Sequence, residues 1–193
     1  VMLNADGSTQ LTGGASTPTY ALPDITGLAR VFTGWDFDLQ GQNVGTGTAT
    51  PDFVRRPLIQ VPARYETGAK TFLGTTIPAG TAATAGLALA LDAIFAHQNV
   101  APFLCRQLIQ RLVTSNPSPA YVARIAAVFA DDGTGARGNL KAVVRALLLD
   151  DEARNPPAGA NYGKLREPIL RFTGWARATA VASPSGTWAV CDT

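Results

Sequence analysis

A chain of 193 residues is long enough for one domain with a core of its own, since chains of that length bury roughly 70% of their unfolded surface without disulfide or metal staples. Charged residues make up 16% of it, hydrophobic residues 46%, and the net charge is +2. Only Arg55 and Arg56 are adjacent cations, so the dense basic face needed for binding nucleic acid by counterion release is missing. No apolar run approaches the eighteen or so residues that span a bilayer, which excludes a helical membrane span, and VMLNADGSTQ lacks the basic-then-apolar succession of an export signal.

In chain order, NADGS reads as a turn, because it lacks the later ligands and closing Glu of a calcium loop. PDITGLARVFTGW predicts a short helix with Asp24 in its first turn, where the helix dipole favours a carboxylate. Residues from about 36 to 85 are rich in Gly, Thr and Pro and keep no period, which predicts a loop-rich insertion. Within it, RPLIQVPARY and KTFLG flank ETGA as a small β-hairpin.

From Gly86 the apolar period becomes helical. In LALALDAIF, Leu87, Ala90, Leu91, Ile94 and Phe95 form one stripe on a helix ending near His97. In PFLCRQLIQRLV, Pro102 suits a first helical position. Phe103, Leu104, Leu108 and Leu112 form the expected buried face, with Arg106 and Gln110 outward. Pro117 and Pro119 then stop that helix at TSN. Ser118 stands as N-cap of the next, which turns Val122, Ile125, Ala126 and Phe129 inward. Leu140, Val143, Val144, Leu147 and Leu148 mark a further helix with Lys141 and Arg145 in water, and Leu165, Ile169, Phe172 and Ala176 a last one on which Glu167 and Arg171 pair. FTGW occurs twice, but its flanks do not match, so no repeat is read. The predicted fold is mainly α: a multi-helix orthogonal bundle forming one domain over residues 1–193, with a Gly/Thr/Pro-rich loop region.

Few motifs carry chemistry. GTGARG fits G-x-G-x-x-G literally, but a helix precedes it where a dinucleotide site needs a strand, and no cofactor is expected. With one His and two distant Cys a zinc site is nearly excluded; Asp36 and Asp38, on one side of an extended segment, are the weak candidates for a divalent cation. Cys105 and Cys191 are read as free thiols, Cys105 being inside a helical pattern. His97 is the sole possible imidazole base, with Asp92 and Glu66 as carboxylates to orient it, although a His at a helix end more often satisfies the last carbonyls. Ser115 and Ser118 have no base nearby in sequence, so they read as helix-end residues.

The succession GLARVFTGW, KTFLG, PFLCRQLIQRLVTSNPSPAYVARIAAVF, RGNLKAVVRALLLDDEAR and GKLREPILRFTGW, in this order, resembles the large bacterial family known as domain of unknown function 1800. The resemblance covers most of the chain. It implies a mostly helical fold and export to the periplasm or beyond, often from a gene beside one for a second family that resembles alkaline phosphatases and sulfatases. It brings no catalytic residues. Tyr65 stands where the resemblance leads one to expect His, which weakens a His-dependent mechanism. Members are usually longer at both ends, so a fragment is expected, with helix faces left exposed for a homo-oligomer. Two readings of function follow: a helical binding or assembly module for a surface protein or glycan, or a hydrolase of ester, phosphoester or glycosidic bonds. In the second, His97 or a carboxylate pair drawn from Glu66, Asp92, Glu152 and Glu167 serves as base.

Overall fold

The computed structural model describes residues 1–39, 52–159, 162–184 and 186. They fall into two compact units, Val1–Leu104 and Cys105–Thr193. Seven helices are among the described residues and every strand is two or three residues long, so the fold is mainly α with small hairpins.

The first unit opens on β1 (Leu11–Thr12) and β2 (Ala15–Ser16), an antiparallel pair. Helix α1 (Leu22–Val31) follows, then β3 (Trp35–Asp36), which pairs with β4 (Ile59–Gln60). A third antiparallel pair, β5 (Lys70–Phe72) with β6 (Thr75–Ile77), precedes α2 (Ala83–Ala96) and the first residues of α3 (Val100–Leu112). KTF is therefore in a hairpin, but its partner is the TTI that follows and not the segment before ETGA. Leu73 and Gly74 both take positive φ, 46° and 74°, the turn shape that matches the twist of a two-residue hairpin. Local closure through that turn outcompetes the longer connection.

Asp24 holds this unit's centre together. One carboxylate oxygen accepts the Ala21 amide at 2.8 Å, closing the start of α1, and the other accepts the Leu73 amide at 2.7 Å, fixing the strained turn. These bonds keep its carboxyl below the usual range, Ala21 contributing most. Helix and hairpin touch backbone to backbone: a Cβ on Gly27 would lie 1.9 Å from the Thr71 carbonyl oxygen. Above that contact Val31, Phe72, Ile77 and Ala90 are fully buried, with Leu28, Leu73, Leu87 and Ala93 packed on them.

The second unit continues α3 and adds α4 (Pro119–Ala130), α5 (Leu140–Leu149), the single turn α6 (Asp151–Arg154) and α7 (Pro168–Ala178). Helix α4 buries Val122, Ile125, Ala126 and Phe129 as expected, and Tyr121 besides, whose hydroxyl donates to the Leu147 carbonyl. Among the described residues, no single helix is long and apolar enough to cross a membrane.

Elsewhere the faces differ from the pattern. Helix α2 buries Ala83, Gly86 and Ala90, leaving Leu91 and Phe95 exposed. Helix α3 begins at Val100, two residues before Pro102, and buries Ala101, Cys105 and Ile109 while Phe103 and Leu112 are out. On α2 small residues face inward because they let backbones approach; the larger residues Leu91 and Phe95 beside them stay wet. On α5, Val143 and Leu147 are buried but Leu140 and Leu148 are exposed. No residue of α7 is buried, and Leu165 ahead of it is 88% exposed. Glu167 pairs with Arg111 at 3.6 Å, not with Arg171.

Replacing Gly27 by Ala forces α1 off the hairpin backbone and is expected to destabilise by about 3 kcal/mol in chemical denaturation. Gly174→Ala, on α7 with nothing within 4 Å of its added carbon, is expected to be neutral or to stabilise by about 0.5 kcal/mol.

Candidate functional site

The three acid–base candidates belong to the first unit, and His97 and Glu66 are tied into local structure. His97 caps α2: its amide donates to the Ile94 carbonyl and its Nδ1 accepts the Asn99 amide at 3.1 Å. Asn99 in turn fastens the N-terminal segment, with Oδ1 accepting from the Leu3 amide at 2.8 Å and Nδ2 donating to the Val1 carbonyl at 2.9 Å. Asp92 is exposed on α2. Glu66 lies with Tyr65, whose hydroxyl sits against Gly86 near the start of α2. The helical rise puts that point about 16 Å before His97. Glu66 therefore lies toward the start of α2 and His97 at its end.

Glu66 is the centre of a cluster of its own. Oε2 accepts from Arg30 Nε at 2.8 Å and Oε1 from the Gly68 amide at 2.8 Å; the Gly68 bond, then Arg30, holds the carboxyl below its ordinary range. Lys70, with a side chain 1% exposed, stands 3.8 Å from Glu66, donates to the Gly68 carbonyl at 3.0 Å and lies 4.5 Å from the Tyr65 ring centroid. A buried ammonium is tolerated only when paired and hydrogen-bonded in this way. Tyr65 replaces the His expected from the resemblance with a ring and hydroxyl that shelter Lys70. The amine is closed to a substrate.

Asp36 pairs with Arg64 and Asp38 with Arg56 at 3.4 Å, so each carboxylate of the DFD segment already faces a guanidinium. Among the described residues no group of three or more His, Cys, Asp or Glu is placed to hold a metal ion. In the GTGARG segment the Asp131 carboxylate accepts the Gly133 and Gly135 amides, and Asp132 accepts from the Thr134 hydroxyl and amide and from Asn139. Those bonds, Thr134 foremost, lower the Asp132 carboxyl to about 2. The amides that a pyrophosphate would need are occupied by carboxylates. NADGS is a turn in which Asp6 accepts from Ser8.

The TSNPSP knot does more than break a helix. Thr114 is fully buried and its hydroxyl donates to the Gly163 carbonyl at 3.1 Å. The Ser115 amide donates to the same carbonyl at 2.9 Å, and Ser115 Oγ accepts the Leu165 amide at 3.0 Å. Ser118 caps α4 by accepting the Tyr121 amide at 3.1 Å, while its own amide and hydroxyl both donate to Glu152. Ser118 is thus the cap of α4 with its hydroxyl held by the Glu152 carboxylate, and it lines a cleft of about 250 Å3 with Asn116, Glu152, Pro157 and Tyr162. Arg124 grips Asp150 beside it through two bonds of 2.8 Å.

Two other clefts are present, and sequence reading missed both. An apolar groove of about 370 Å3 in the first unit is lined by Tyr20, Ile25, Leu28, Phe32 and Leu73. A polar cleft of about 330 Å3 in the second has Gln107, Gln110, Arg111, Lys164, Arg166 and Glu167 in its walls. Arg111 lies far in sequence from Lys164 and Arg166 and meets them only through the knot, so no local spacing signals the group. Cys105 is buried and free, and burial pushes its thiol up to about 11; Cys191 lies outside the described residues.

Ser118→Ala removes a cap and leaves Glu152 short of a donor, so a loss of about 2 kcal/mol in thermal or denaturant unfolding is expected. Iodoacetamide at neutral pH is expected to leave Cys105 unmodified in peptide mass analysis until the protein is unfolded.

No curated protein and no solved structure matches the chain. The family described as "Protein of unknown function (DUF1800)" matches residues 11–191. With nearly its whole length matched, the chain belongs to that family.

Proposed function

We propose that this chain is a non-catalytic binding and assembly module of a protein working outside the cytoplasm, with a surface glycan or protein as partner. One observation carries the reading: His97 and Glu66 lie toward opposite ends of α2 and serve as hydrogen-bond anchors for neighbouring backbone. General acid–base catalysis needs the base within hydrogen-bond reach of its orienting group or of the substrate proton. The buried Lys70 offers no substitute.

Uncovered apolar surface supports assembly. Leu165, Ile169, Phe172 and Trp175 in the second unit, and Tyr20, Leu22, Ile25 and Phe32 in the first, are each at least 47% exposed. Contiguous apolar surface of that kind on a soluble protein is ordinarily covered by a partner. A second copy of the chain is the simplest cover, giving a homo-oligomer.

Two measurements check this. In a broad panel of chromogenic ester, phosphoester and glycoside substrates, the purified chain is expected to show no turnover above that of a His97→Ala, Asp92→Ala, Glu66→Ala triple variant; turnover lost in that variant establishes the hydrolase instead. Light scattering is expected to give a mass above one chain, and a clean monomer at high concentration removes the assembly half of the proposal.

A further inference from the structure

The polar cleft of the second unit is built, not incidental. Thr114 and Ser115 bind the backbone of Gly163 and Leu165, with Gly163 at φ 123° making the bend that a side chain resists. This lays Lys164, Leu165 and Arg166 across the end of α3. There Gln107, Gln110 and Arg111, spaced i, i+3 and i+4, share one face. The volume of about 330 Å3 falls in the range of small-ligand clefts, roughly 300 to 1,000 Å3.

Its chemistry is specific. Three cations, Arg111, Lys164 and Arg166, line it against one carboxylate, Glu167. Arg111 meets Glu167 at 3.6 Å with its side chain 72% exposed, leaving most of its five N–H donors directed to solvent. Gln110 gives one N–H to the Ser115 carbonyl at 3.1 Å and keeps its amide oxygen and second N–H. Leu165 and Leu170, 88% and 48% exposed, add an apolar ledge. Carboxamides suit sugar hydroxyls, a guanidinium suits a carboxylate or sulfate, and an apolar ledge suits the C–H face of a pyranose. No aromatic residue lines the cleft, so it lacks the stacking platform that single-stranded nucleic acid requires.

From these features we propose that the cleft binds an acidic saccharide, one carrying carboxylate or sulfate groups on a pyranose chain. The assignment rests on the binding-module reading and names the ligand class for it.

Calorimetric titration of the full chain with trigalacturonate tests the proposal, with chitotriose as neutral saccharide, triglutamate as acidic peptide and inorganic sulfate as bare anion. Trigalacturonate is expected to bind, and to weaken at least about threefold when salt rises from about 50 mM to about 300 mM. Chitotriose, triglutamate and sulfate are expected to bind at least about tenfold more weakly. Arg111→Gln and Arg166→Gln, both at exposed side chains, are each expected to lower affinity about tenfold, the loss of one charge-assisted bond. Arg145→Gln, which removes the same charge from the exposed side of α5, is expected to leave affinity unchanged. Equal binding of triglutamate or sulfate, an equal effect of Arg145→Gln, or no heat with trigalacturonate overturns the assignment. Turnover in the substrate panel strikes the binding-module reading and leaves these titrations standing; a chain silent in the panel that fails to bind trigalacturonate loses the ligand class alone.

Discussion

The structure depends on one constraint: the backbone amides and carbonyls exposed where helices and hairpins end must find partners, and in this chain side-chain oxygens and amides supply many of them. Asp24 serves the start of α1 and the β5–β6 turn with one carboxylate. Asn99 does the same for the N-terminal segment, Asp131 and Asp132 for the turn before α5, and Thr114, Ser115 and Ser118 for the corner between α3 and α4. Only 16% of the chain is charged, so few polar groups are left over once the corners are closed.

That has a direct bearing on chemistry. A catalytic group needs a lone pair or proton aimed at a cavity, and here His97, Glu66 and Ser118 are engaged by groups of the protein itself. His97 offers Nδ1 to Asn99, Glu66 is shared by Arg30 and Gly68, and Ser118 gives its proton to Glu152. The side chains that do face solvent around a cleft are long cations, carboxamides and leucines. Such groups recognise; they do not by themselves transfer protons at neutral pH. The proposed binding role rests on this arrangement of the polar residues.

Much of this was legible in the sequence, and the failures have physical causes. Helix α4 was readable because Ser118 and Pro119 mark its start and its inward stripe is bulky while Arg124 faces out. Asp24 was recognisable as a first-turn acid, though its second bond, to Leu73, spans a long stretch of chain and leaves no local trace. Helix α2 is apolar nearly all round, so a stripe of large residues could not identify the side that packs; Gly86 and Ala90 go inward because smallness, not greasiness, decides close approach. Helix α7 shows a true amphipathic stripe that finds no cover in its own unit, since periodicity marks a face suited to burial without naming what buries it. The polar cleft of the second unit was invisible for a different reason: Arg111 is brought to Lys164 and Arg166 by the hydroxyls of Thr114 and Ser115, which read only as a helix stop.

The claim beneath all of this, that corner side chains hold backbone groups and not substrates, is tested most directly by native-state amide hydrogen exchange at Glu66, Leu73, Ser118 and Tyr121. Their acceptors are Thr33 Oγ1, Asp24, Glu152 and Ser118 Oγ respectively. The account predicts slow exchange at all four, comparable with helix interiors. Exchange at the rate of an unstructured peptide, with the core helices still protected, would show those side chains to be free and return them to the list of groups available for catalysis.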